Sequence, residues 1–151
     1  MGGGQQQLQQ LSQELQALDE EIETLESEID GLREEQSDID DAVEAIETLD
    51  TGATVQVPLG GGAYVRAEVQ DIDEIIVSLG GNYSAEQEQD DAIDVLRRKQ
   101  EALDERIEET QGEIDELESE SQELEQQAQQ MQQQMQQQQM QQMQQAQSDE
   151  E

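Results

Sequence analysis

From Leu8 the apolar residues run Leu8, Leu11, Leu15, Leu18, Ile22, Leu25, Ile29, Leu32, Ile39, Val43 and Ile46, stepping by three and four, with Gln36 filling one place. That spacing draws one stripe along an α-helix and predicts a coiled-coil seam. A second seam follows through Ile93, Leu96, Gln100, Leu103, Ile107, Thr110, Ile114, Leu117, Ser121, Leu124, Ala128, Met131 and Met135. Between them, from Asp50 to Tyr83, the period changes to two. TVQV, AYVRAEV and IIVSL read as strands, and Gly60-Gly61-Gly62 and Gly80-Gly81 stand where the chain must reverse, since glycine takes positive φ without steric cost. Two consecutive β-hairpins between two long helices are expected, with Gly52 closing the first helix and Ser84-Ala85-Glu86-Gln87 read as a capping box that opens the second. The expected segments are 8–50 (helix), 51–83 (double hairpin), 84–131 (helix) and 132–151, a Gln- and Met-rich acidic tail that is partly disordered.

The seams fit together antiparallel. Pairing Ile46 with Ile93 sets Val43 opposite Leu96, Leu32 opposite Ile107 and Leu8 opposite Met131, so that each a position faces a d position. A slip of one heptad preserves that match, and the helix ends favour the first alignment. Gln36 and Gln100 then fall in adjacent layers, where two amides bonded to each other would penalise slipped registers, or where both are simply tolerated beside a solvated seam. Gly31 and Gly112 lie off the seam and suggest a flexible point. Past Met131 the second helix outruns the first, leaving Met135, Met140 and Met143 without a facing helix.

Composition narrows the chemistry. Among 151 residues, Tyr64 and Tyr83 are the only aromatics, too few for an ordinary globular core. With neither cysteine nor histidine, disulfides, thiolate zinc sites and the commonest general base are excluded. The glycine run precedes a strand and has no following Lys-Ser/Thr, so it is not a phosphate loop. No enzyme, cofactor or metal site is expected. Forty acidic against six basic residues give a net charge of −34, which opposes nucleic acid and anionic membranes as partners. The acids coat the helix faces evenly, which favours adaptation to molar salt, where the Debye length is about 3 Å, over one acidic docking surface. With no long apolar run and no signal-like start, a cytoplasmic chain is expected.

Two small hairpins leave open sheet edges, so the chain is expected to oligomerise through Val55, Val57, Val65, Val69, Ile75 and Val77. Methionine repacks against partners of many shapes. Met131, Met135, Met140 and Met143, with Leu8 and Leu11, therefore form a candidate protein-binding tip, against the alternative of a low-complexity tail with no role.

Val57-Pro58-Leu59-Gly60-Gly61-Gly62-Ala63-Tyr64-Val65, Asp73-Glu74-Ile75-Ile76-Val77, Leu79-Gly80-Gly81-Asn82-Tyr83 and the Arg97-Arg98-Lys99 cluster resemble the prefoldin family, and two hairpins instead of one are similar to its alpha subunits. The acidic bias resembles the form found in salt-accumulating archaea; the Gln/Met tail departs from the family pattern. The resemblance implies a mainly α fold, an antiparallel two-helix coiled-coil hairpin whose two central β-hairpins join an oligomeric β-barrel. It implies an ATP-independent holdase chaperone, two alpha with four beta subunits in a hexamer, gripping unfolded client proteins at the coiled-coil tips and passing them to a group II chaperonin. The rival expectations are a structural coiled-coil scaffold that dimerises through its β region, and a folding cofactor dedicated to one client.

Overall fold

A computed structural model describes residues 2–148. Its elements are α1 (Gly2–Thr48), β1 (Thr54–Gly60), β2 (Ala63–Glu68), β3 (Ile75–Gly80), β4 (Tyr83–Gln87) and α2 (Gln89–Ser148). Contacts divide the chain into one unit of Met1–Ile29 with Glu108–Glu151 and another of Asp30–Ile107.

Every position of both expected seams, Leu8 to Ile46 and Ile93 to Met135, is buried or half-buried, while the Asp, Glu and Gln residues between them are overwhelmingly exposed. The three-four spacing is thus the stripe that leaves water. In the unit of Asp30–Ile107 the core is Ile39, Val43, Val77, Ala92 and Leu96, flanked by Ala42, Ile46, Ile75, Ile93, Val95 and Leu103. In the other unit Ile29, Thr110 and Ile114 are buried, and the Met135 thioether lies against Gly4, 3.5 Å from where a Cβ would stand. That contact keeps Gly4 level with Met135, as the alignment of Leu8 with Met131 requires.

Gln36 and Gln100 act differently from the expectation. Their amides do not bond each other; each donates to the other residue's backbone carbonyl, Gln36 Nε2 at 3.3 Å and Gln100 Nε2 at 3.0 Å. Gln36 Nε2 also donates to Asp104, and Gln100 Nε2 to Asp40 Oδ1 at 2.7 Å. Arg97 Nη1 completes the layer, 2.9 Å from Asp40 and 2.7 Å from Gln100 Oε1. A long amide reaches a backbone carbonyl on the opposing helix without leaving its own polar atoms dry, and among the described residues no buried side-chain nitrogen or oxygen lacks a partner. Hydrogen bonds from Gln100 and then from Arg97 hold the Asp40 carboxyl below the ordinary carboxylate range.

Two boundaries depart from the sequence reading. Ser84 to Gln87 belong to β4 and not to a capping box, and α2 begins at Gln89. The cap is supplied from afar: Asp73 Oδ1 accepts the Gln89 N–H at 3.3 Å, and Gln89 Nε2 donates to the Ile46 carbonyl at 2.7 Å and the Leu49 carbonyl at 3.4 Å. One side chain thereby ties the start of α2 to the orphan carbonyls at the end of α1. At the other boundary, the segment expected to be partly disordered is helical through Ser148, since glutamine is a fair helix former and no breaker interrupts it. Asp149, Glu150 and Glu151 lie outside the described residues.

Gly31 and Gly112 sit within unbroken helix, and a Cβ at either would meet nothing within 4 Å. Gly31→Ala and Gly112→Ala should each stabilise the chain by up to about 1 kcal/mol, read as a rise in thermal midpoint. The Asp40 network acts in the opposite sense to acid. A carboxyl with a lowered folded pKa contributes stability above its unfolded value and loses it as pH falls through the folded one. Asp40→Asn should therefore lower the midpoint at neutral pH, with the difference from the natural chain shrinking below about pH 4.

Candidate functional site

The hairpins are built alike. In β1–β2, Val57 faces Val65 and Pro58 faces Tyr64, with a register shift between Pro58 and Gly60; in β3–β4, Val77 faces Ala85 and Ser78 faces Ser84, with the same shift between Ser78 and Gly80. Gly61 and Gly62, and Gly81 and Asn82, all have positive φ, as a two-residue reversal matching strand twist demands. The extra residue at each shift is a leucine, Leu59 or Leu79, and both are exposed. Each sheet has two strands, so all four strands are edges.

The two hairpins differ in what they give to their own chain. The face of β3–β4 bearing Ile75, Val77, Ala85 and Gln87 lies inward, and Val77, 5% exposed, packs in the core with Val43, Ala92 and Leu96. Its opposite face presents Ile76, 73% exposed. The face of β1–β2 bearing Val55, Val57, Val65, Ala67 and Val69 is graded: Val55, Ala67 and Val69 are half-buried, whereas Val57 and Val65, nearer the turn, are exposed. Thr51 Oγ1 accepts the Ile72 N–H at 3.1 Å and the Gly52 N–H donates to the Val69 carbonyl at 2.7 Å, so the two legs of this hairpin are tied to each other at its base.

Val77 and, in part, Ile75 thus pack within their own chain. The exposed apolar set is Val57, Leu59, Tyr64, Val65, Ile76, Leu79 and Tyr83. Ile76 was detectable in principle. Three apolar residues in a row, Ile75-Ile76-Val77, put apolar side chains on both faces of a strand.

The expected tip residues divide in the same way. Leu8, Leu11, Met131 and Met135 are half-buried on the seam. Met140 and Met143 are 66% and 72% exposed. A cleft of about 720 Å³ opens at this end, lined by Gly3, Gly4, Met131 and Met135 among glutamines. No group of His, Cys, Asp and Glu that could hold a metal ion occurs among the described residues. None of the described helices is long and apolar enough to cross a membrane.

Residues 18–149 match the family model described as Prefoldin subunit. The chain belongs to the prefoldin family. It is 88% identical over 111 residues to the prefoldin subunit alpha of Halorubrum lacusprofundi, covering 74% of this chain and 73% of that one. To the prefoldin subunit alpha of Haloarcula marismortui it is 64% identical over 107 residues, 71% of this chain and 70% of that one. A cryo-EM structure of filamentous PFD from Methanocaldococcus jannaschii is similar in fold, with a TM-score of 0.52 and 28% identity, over 78% of this chain and 93% of that chain. The prefoldin resemblance of the glycine turns and the two long helices therefore holds, and the chain is a member of a chaperone family with haloarchaeal relatives.

Within this prefoldin chain the two neighbouring isoleucine and valine positions of β3 separate internal packing from outward display. Val77→Ala should destabilise the chain by about 2 kcal/mol through lost burial and a cavity, whereas Ile76→Ala should change chain stability by less than about 0.5 kcal/mol; thermal unfolding at matched salt checks both.

Proposed function

We propose that the chain is the alpha subunit of a cytoplasmic, ATP-independent holdase. Two such chains join four beta subunits through their hairpins, hold non-native polypeptides at the methionine-bearing helix ends and deliver them to a group II chaperonin. The observation that carries the reading is where apolar surface is left uncovered in a prefoldin chain: large exposed apolar side chains occur on the hairpins and at Met140 and Met143. Four unpaired strand edges with Val57, Val65 and Ile76 beside them suit addition of a neighbour's strands, which would close the edges into a barrel.

The last turns of α2 suit a different task. Met140 and Met143 are largely exposed, and Leu8, Leu11, Met131 and Met135 are half-buried on the seam. Flexible thioethers adapt to unrelated apolar segments, and each contact is weak. Several such ends acting on one polypeptide raise the effective concentration and so the retention.

The test mixes the chain with a chemically denatured enzyme in molar salt without nucleotide, with and without a beta-type subunit, and follows light scattering. Suppression is expected with the beta subunit present. Unchanged aggregation in both mixtures overturns the holdase reading, and a homodimer with no affinity for unfolded chains would establish a scaffold instead. Removing residues 136–151 should weaken suppression several-fold while leaving assembly intact, whereas Ile76→Asp should weaken assembly.

A further inference from the structure

Charge stops at the same level on both helices. From Gly2 to Gln13 in α1 and from Gln126 to Ser148 in α2 no side chain is charged, whereas every acidic residue of the two helices lies between Glu14 and Glu125. In the alignment that sets the Met135 thioether against Gly4, Glu14 is level with Glu125, so the last carboxylates of α1 and α2 end together. The cleft of about 720 Å³ lined by Gly3, Gly4, Met131, Gln134, Met135 and Gln138 lies wholly in the uncharged part. The next acids, Asp149 to Glu151, are outside the described residues and follow Ser148, which stands about 9 Å of helix past Gln142, the last residue of the cleft.

We infer that this uncharged end selects one class of client, unfolded polypeptides of net negative charge. The inference rests on the proposed function, which gives this end to clients, and adds which of them it takes. In molar salt the Debye length is about 3 Å, so a carboxylate repels an acidic partner only where the two surfaces touch. Taking acids away from the contact region alone is then sufficient, and the rest of both helices stays acidic. Basic clients call for the opposite arrangement, since carboxylates at the contact would hold them.

Glutamine supplies more than neutrality. Elsewhere in this chain its amide N–H groups serve carboxylates: Gln36 Nε2 donates to Asp104, Gln100 Nε2 to Asp40 Oδ1 at 2.7 Å, and Gln111 Nε2 to Asp115 Oδ1 at 3.3 Å. Gln134 and Gln138 are exposed and bring the same donors to the cleft. Carboxylates of a bound chain thus meet hydrogen-bond donors while its apolar side chains lie against the thioethers of Met131 and Met135.

The test uses the full chain assembled with a beta-type subunit in molar salt. The probe is one fluorescently labelled, permanently unfolded polypeptide in two forms, with its lysines succinylated or its carboxyls amidated, so that length and sequence match while net charge is reversed. Fluorescence anisotropy reads the affinity for each. The natural chain should bind the succinylated form at least as tightly as the amidated one. Gln134→Glu with Gln138→Glu should weaken binding of the succinylated form at least three-fold without weakening the amidated one. Gln134→Lys with Gln138→Lys, an equal disturbance of the helix, should keep the succinylated form bound as tightly as the natural chain does. Preference of the natural chain for the amidated form overturns the proposal and leaves the holdase reading standing. An equal effect of the glutamate pair on both forms, or no effect on either, does the same. Binding of neither form to the natural chain overturns both readings together.

Discussion

Removal of one narrow apolar stripe per helix from water is the interaction on which this protein depends. Neither α1 nor α2 carries enough apolar surface to be stable as a lone helix, and outside the stripe each is densely acidic except in the glutamine-rich first turns of α1 and last turns of α2. Opposed seams bury Ile29, Leu32, Ile39, Val43, Leu96 and Ile114, while the carboxylates remain in solvent. The arrangement tolerates a net charge of −34 because it asks no carboxylate to be buried. The polar layer of Gln36, Gln100, Asp40 and Arg97 adds direction to an otherwise repetitive contact, since its hydrogen bonds form only when these residues are level.

The hairpins inherit their roles from that frame. β3–β4 lends Val77 and Ile75 to the core beside Val43 and Leu96, and this fixes which side of the strand is left for other molecules. β1–β2 buries little against its own chain, and its apolar face grows more exposed towards the glycine turn. Small sheets with open edges and apolar outer faces are incomplete as solitary objects. In a family whose members are named as subunits, such incompleteness is the expected condition of a single chain.

The helix ends are incomplete in a different way. A neutral, glutamine-rich helix with methionines turned off the seam has neither the charge that keeps the other surfaces apart nor a partner along its own stripe. Surfaces of this kind hold loosely and exchange easily.

Periodicity was enough to establish both helices and the hairpin turns, because three-four spacing, period-two spacing and positive-φ glycines are local signals, while the alignment of the two seams also needed the helix ends, since a slip of one heptad keeps the same spacing. Residue burial along Leu8 to Ile46 and Ile93 to Met135 follows that reading at each step. The prefoldin resemblance was equally legible in the glycine turns. What the sequence left open was decided by contacts between distant residues. Ser84-Ala85-Glu86-Gln87 has the composition of a helix cap yet is drawn into β4 by pairing with Ile75 to Ser78, and the cap of α2 comes instead from Asp73. Ile75, Ile76 and Val77 are equally apolar, and only the position of Val43 and Leu96 beneath the sheet determines that Val77 is internal and Ile76 is displayed. A period-two pattern shows that a strand has two faces; the element it packs on decides which of them the solvent sees.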